Sequence, residues 1–238
     1  MVALLRRAGA EVIDHAEALP DHADAIFVHD PCLVTDRGAV LLRMGKELRR
    51  GEEAAIGRCL EKAGVPILYA LHGEAMPEGG DCLWLDHDTL AVGQGFRTNA
   101  EGLRQLREAL RGMGITVIPV PLPFGGGPRA CLHLMSLISV LDHDLAVVRL
   151  PLLPVPFWQL LQDRGFRLLE VAEAEFPTMG HNVLALAPRK CVMLSGNPVT
   201  QRRLEEAGCE VFTYQGDEIS LTAEGGATCL TRPVLRRV

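Results

Sequence analysis

Apolar and polar positions along the chain fall into one phrase that occurs five times: a leucine-rich helical stretch, a small residue, a glycine, then an apolar run. It reads LLRRAGAEVI around Gly9, CLEKAGVPIL around Gly64 and LREALRGMGITVI around Gly114. LLQDRGFRLL around Gly165 and RLEEAGCEVF around Gly208 complete the series, at intervals of about 50 residues. Glycine just past a periodic helix takes the left-handed conformation without a Cβ clash, so each echo predicts a helix passing into a strand. Between echoes, runs broken by Asp, His or Gly predict hairpins: 27–35 with 39–43, 82–85 with 89–93, 134–141 with 145–150, and 182–187 with 191–195.

The repeat of strand, strand, helix, strand predicts an α/β fold. Radial repetition makes it a five-bladed α/β propeller of ββαβ units, in one domain spanning residues 1–238. The count does not finish evenly. The chain begins on a helix and ends on a single strand at 227–234, whose hairpin partner would precede Met1. An N-terminal strand is therefore expected to be missing, and the ring to be open beside 227–234.

Composition narrows the function. Lys and Arg number 24 against 30 Asp and Glu, a formal charge of −6 with no basic run, which argues against a nucleic-acid partner. The longest uncharged stretches fall short of the roughly 18 to 20 apolar residues a spanning helix needs. No apolar leader follows Met1, so the expected location is the cytoplasm. Seven scattered cysteines, an odd number without a C-x-x-C pair, predict neither a zinc site nor a redox motif, and most read as small buried hydrophobes.

Individual candidates each carry an ordinary reading beside the chemical one. Glu78-Gly79-Gly80-Asp81 is an acidic turn, or a place of close ligand approach. His133, on an apolar segment, is a hydrogen-bonded core residue or a proton-transfer group. Cys229, after Gly225-Gly226-Ala227-Thr228, is a structural thiol or a nucleophile at a loop mouth. The Asp-His-Asp triplets at 86–88 and 142–144 resemble metal clusters but read as hairpin turns, and Gly125-Gly126-Gly127-Pro128 lacks the ending of a phosphate loop.

In order, Phe27-Val28-His29-Asp30, Arg43 to Glu52, Glu78 to Asp81, Phe96-Arg97-Thr98-Asn99, Leu132-His133-Leu134 and Gly225 to Cys229 resemble the guanidino-group-modifying enzymes. These form the pentein superfamily of dimethylarginine dimethylaminohydrolases, arginine deiminases and amidinotransferases. The resemblance covers nearly the whole chain and implies a fivefold α/β propeller. It implies that Cys229 is the nucleophile, His133 the acid and base, and Glu78 the group that orients His133. It further implies that Asp30 grips the guanidinium, that Arg49 and Arg97 hold the substrate carboxylate, and that Asp24 holds the α-amino group.

The chain departs from the family at two places. His29-Asp30 stands where the hydrolases show Glu-Asp or Arg-Asp, and His133-Leu134-Met135 stands where deiminases and amidinotransferases show His-x-Asp. The expected function is a hydrolase that turns arginine or an N-methylated arginine into citrulline through an amidino-cysteine, with no metal and no cofactor. Its expected partner is a small guanidino substrate rather than nucleic acid or membrane, and homo-oligomerisation is left open. An amidinotransferase using the same intermediate is the alternative, and a non-catalytic pentein-fold binding protein is the alternative from another class.

Overall fold

The computed structural model describes residues 1–235. Its helices are α1 (Val2–Arg7), α2 (Glu52–Lys62), α3 (Ala100–Ala109), α4 (Val155–Asp163) and α5 (Pro198–Glu206). Beyond each lies the predicted glycine, with φ of +97° at Gly9, +79° at Gly64, +75° at Gly114, +78° at Gly165 and +85° at Gly208. A Cβ added at any of these five would meet nothing within 4 Å. Backbone conformation, not space, therefore requires glycine there.

Four of the five echoes deliver the predicted unit. The strands are β1 (Cys32–Thr35), β2 (Gly38–Leu41) and β3 (Ile67–Ala70); β4 (Cys82–Trp84), β5 (Thr89–Gln94) and β6 (Thr116–Pro121). β7 (Ile138–Asp142), β8 (Leu145–Val148) and β9 (Arg167–Glu170) follow, then β10 (Leu184–Ala187), β11 (Lys190–Leu194) and β12 (Glu210–Tyr214). Each triplet is one sheet in chain order, an antiparallel hairpin whose second strand pairs in parallel with the third across a helix. The middle strands are buried along nearly their whole length, which is why β8 reads Leu-Ala-Val-Val with no alternation.

The chain divides into two compact units. One comprises Met1–Val12 and Met135–Thr228, with sheets β7–β9 and β10–β12 around Leu141, Leu145, Val147, Met193 and Leu204; Leu4 and Leu5 of α1 join Val192, Leu194 and Tyr214. The other comprises Ile13–Leu134 and the segment from Cys229 onward, with sheets β1–β3 and β4–β6 around Leu33, Leu42, Leu90, Val92, Leu106 and Leu110. Asp24, Asp30, Arg49, Glu78, Arg97, His133 and Cys229 all lie in this second unit. No helix among the described residues is long and apolar enough to cross a membrane.

Three expectations are corrected. The single strand at 227–234 does not form: a turn at 227–230 is followed by backbone without regular structure. Among the described residues no strand pairs with this segment to supply a ladder. The carbonyl of Cys229 instead accepts the His29 N–H (3.3 Å) and that of Thr231 meets the His29 ring at Nδ1 (2.9 Å), while Pro233 has no N–H to give. The first echo yields α1 but no strand after Gly9. Finally, the apolar runs at 27–31 and 134–136 are turn and 3₁₀ helix rather than the starts of β1 and β7, because burial alone does not distinguish a strand from a packed loop.

Candidate active site

The Glu78-Gly79-Gly80-Asp81 segment enters β4 through a 3₁₀ turn at Gly79–Asp81. Glu78 is fully buried. Its Oε1 accepts the backbone N–H groups of Gly45 (2.9 Å) and Lys46 (3.0 Å) and lies 3.5 Å from Arg97 Nη1. Its Oε2 meets His133 Nε2 at 2.7 Å. A carboxylate only accepts, so Nε2 carries a hydrogen and donates it to Glu78, leaving Nδ1 as the atom through which His133 can exchange a proton. The two glycines are explained by crowding. A Cβ on Gly79 would overlap the His29 carbonyl, and one on Gly80 would overlap the His133 ring.

Asp30 lies on the other side of the imidazole, its Oδ1 4.0 Å from His133 Nδ1 and bonded by the Gly80 N–H at 2.9 Å. Its Oδ2 accepts from Arg49 Nη1 (2.6 Å). Arg49 is almost wholly buried. Its remaining donors go to Glu52, through Nε (3.0 Å) and Nη2 (2.7 Å), and to the Phe27 carbonyl (3.0 Å). Asp30 thus already faces one guanidinium, from within the chain. Asp24 pairs with Lys46, whose own N–H sits on Glu78.

Electrostatics follow from this crowding. Burial alone would strip His133 of its proton, but Cys131, Asp30 and Glu78 outweigh it and raise its pKa well above the ordinary value. Burial also opposes ionisation of Asp30 and Glu78, yet the His133 charge, with Arg49 beside Asp30, holds both carboxyls below the usual range. His29 is the reverse case: burial, reinforced by Arg232, depresses it to about 3. Its Nδ1 is used by Thr231, and its Nε2 has no hydrogen-bond partner among the described residues. Burial pushes the Asp81 carboxyl up to about 6 and the Cys82 thiol up to about 12.

Two cysteines compete for attention around His133. Cys131, exposed, has its Sγ 3.6 Å from Nδ1. Cys229 is partly buried on the turn at 227–230, and its carbonyl is fastened to the residue preceding Asp30. Cys32, Cys82, Cys191 and Cys209 are buried, as small hydrophobes should be. The contribution of Cys131 had no sequence signal beyond its place two residues before His133. Glu52 and Thr98 were visible only as members of quoted motifs.

Donor atoms of Asp30, Glu78 and His133 lie within 4.8 Å of one another, but the Glu78–His133 bond and the Asp30–Arg49 pair occupy them as an ion-pair network. Both Asp-His-Asp triplets lie in hairpin turns. In the second, Arg189 spans Asp142 (2.8 Å) and Asp144 (2.6 Å), so its carboxylates hold a side chain of the chain itself.

Comparison with known proteins decides the family. The model of the family described as N,N dimethylarginine dimethylhydrolase, eukaryotic, matches residues 1–236. The chain belongs to this family. Dimethylarginine dimethylhydrolases are guanidino-group hydrolases of the pentein superfamily, and the four ββαβ units agree with that fold. A dimethylarginine dimethylaminohydrolase of Streptomyces coelicolor is 31% identical over 92% of this chain and 76% of its own length. An arginine deiminase of Mycobacterium avium is 32% identical over 67% of this chain but only 46% of itself. Among solved structures, a dimethylarginine dimethylaminohydrolase from Pseudomonas aeruginosa, a cysteine-to-serine mutant complexed with citrulline, superposes with a TM-score of 0.73. It is 26% identical, over 88% of this chain and 76% of that one.

Proposed function

We propose that this chain hydrolyses a C–N bond of arginine or an N-methylated arginine, with Cys229 as nucleophile, His133 as acid and base, and Glu78 as the orienting carboxylate. The observation that carries this reading is the buried 2.7 Å Glu78–His133 pair, with Nδ1 on the side of the ring that faces Asp30 at 4.0 Å. A guanidinium is planar and resonance-stabilised, so its carbon is a poor electrophile until a carboxylate holds it and an acid protonates the departing nitrogen. Asp30 supplies the grip through charge-assisted hydrogen bonds.

The Cys229 thiolate attacks the guanidinium carbon, and the tetrahedral adduct collapses as protonated His133 gives its Nδ1 proton to the leaving amine. An amidino-cysteine remains. Neutral His133 then takes a proton from water, the hydroxide attacks the same carbon, and the C–S bond breaks to release a ureido product and the thiolate. Glu78 accepts from Nε2 throughout, favouring the imidazolium. Arg97, tied only loosely to Glu78 at 3.5 Å, is the first choice for the substrate carboxylate; Arg49 joins it only by giving up Glu52. Asp24, on exchanging Lys46, takes the α-amino group.

Methylated arginine is the favoured substrate class, on the family match and on Met135 standing where arginine-acting relatives carry a carboxylate. The test is citrulline release from arginine, monomethylarginine and asymmetric dimethylarginine. Cys229→Ser and His133→Ala are expected to abolish it, whereas alanine at Cys32, Cys59 or Cys191 is expected to retain it. Cys131→Ala is the discriminating control: loss as deep as that of Cys229→Ser would move the nucleophile. Transfer of the labelled amidino group from arginine to an amine such as glycine or ornithine, without citrulline, would favour the amidinotransferase, and no turnover of any guanidine would favour a binding protein.

A further inference from the structure

The geometry points to Asp81 as the positioning residue of His133: its carboxylate ties the backbone immediately after the imidazole to the hydroxyl that holds the backbone of Glu78. Asp81 is fully buried at the end of the 3₁₀ turn before β4. Its Oδ1 accepts the N–H of Leu134 at 2.8 Å. Its Oδ2 accepts the Thr98 hydroxyl at 2.5 Å, and the same Thr98 oxygen accepts the Glu78 N–H at 3.3 Å. Gly93 of β5 leaves room for this carboxylate, since a Cβ there would sit 2.5 Å from Oδ1 and 3.0 Å from the Leu134 Cβ.

The need for such a tie follows from where His133 sits. Residues 122–133 form neither helix nor strand, so no ladder holds the loop in register. Proton transfer through Nδ1 tolerates only a few tenths of an ångström of drift, and a flexible loop supplies no such precision unless a second set of bonds fixes its backbone. Glu78 and His133 are joined through their side chains; Asp81 and Thr98 join them a second time through their backbones. Two bonds at different points fix the ring's orientation, where one would leave it a hinge. This inference rests on the reading of His133 as the proton-transfer group.

The experiment compares Asp81→Leu, Asp81→Asn and Thr98→Val. Leucine matches the volume and removes both anchors; asparagine keeps an oxygen for Leu134 and offers N–H to Thr98. Asp81→Leu is expected to lower kcat about thirtyfold with KM changed by less than about threefold, because it misplaces the acid without touching substrate. Asp81→Asn should lose only about threefold, and Thr98→Val about tenfold. Turnover is normalised to the folded fraction measured by circular dichroism on the same samples, so unfolded protein is not counted. In parallel, the His133 ring resonances are followed by NMR and should move in Asp81→Leu but not in Asp81→Asn, whether or not turnover is seen. If Asp81→Leu does not fold, Thr98→Val decides alone. A folded Asp81→Leu or Thr98→Val with kcat within twofold of wild type and unmoved His133 resonances would overturn the inference, as would equal losses in Asp81→Asn and Asp81→Leu. His133→Ala is run alongside; turnover surviving there refutes the site reading itself, which the NMR comparison does not depend on.

Discussion

Replacing Glu78 by glutamine tests the site at its most constrained atom. Oε1 receives two backbone N–H groups, from Gly45 and Lys46, and neither can turn away. The glutamine carbonyl must therefore stay on that side, which presents its NH₂ to His133 Nε2. Two donors cannot face each other, so Nε2 must give up its hydrogen and the imidazole adopts the opposite tautomer, protonated at Nδ1. The neutral ring can then no longer take a proton from water. A hydrogen bond to a charged partner contributes about 1.5–3 kcal/mol. At 1.36 kcal/mol per pKa unit, losing it lowers the His133 pKa by about one to two units. The electrostatic part alone predicts a loss of about tenfold to a hundredfold in kcat. The wrong tautomer extends that toward the roughly ten-thousandfold seen when a triad carboxylate becomes an amide. The assay is kcat/KM for citrulline release across pH, with the ring ¹⁵N shifts of His133 measured on the same samples. The alkaline limb should move down by about one to two pH units. An unmoved limb, or a ring still protonated at Nε2 in the glutamine variant, would refute the reasoning.

Two further outcomes follow from the packing. Gly80→Ala should lower turnover at least tenfold while leaving the sheets intact by circular dichroism, because its Cβ claims the space of the His133 ring; unchanged kcat in a folded variant would mean that ring is mobile. In the other unit, His181 is buried against Phe176, ring centroids 4.6 Å apart, and desolvation depresses it to about 4. The folded state thus refuses a proton that the unfolded chain accepts below pH 6.5, and stability falls as pH drops from 6.5 toward 4. Over the 1.5 pH units to pH 5 that amounts to about 2 kcal/mol. His181→Phe should remove it, so in urea melts the variant should gain about 2 kcal/mol on wild type between pH 7 and pH 5. A difference independent of pH would show that His181 is not held neutral.

What the sequence determined by itself was local. Glycine at positive φ has one strong meaning, and Gly64, Gly114, Gly165 and Gly208 each ended a helix and opened a parallel strand, so the repeat was legible without any tertiary knowledge. The hairpins were legible from the Asp, His and Gly residues at their turns, except where segments such as 27–31 lay ahead of the strand and read as its start. The segment 227–234 failed because a strand exists only with a neighbour: its composition suits one, but its carbonyls found His29 instead. At the site, residue types in order were enough to nominate Glu78, His133, Asp30 and Cys229. Their meeting was not legible, since Glu78 and His133 are 55 positions apart and only the packing of β4–β6 against their loops sets them 2.7 Å apart. Nor could spacing reveal that Arg49 already lies on Asp30, that Cys131 rests against Nδ1, or that Asp81 and Thr98 fasten the backbones. Hydrogen bonds between distant segments depend on distances of tenths of an ångström, which the order of residues along a chain does not contain.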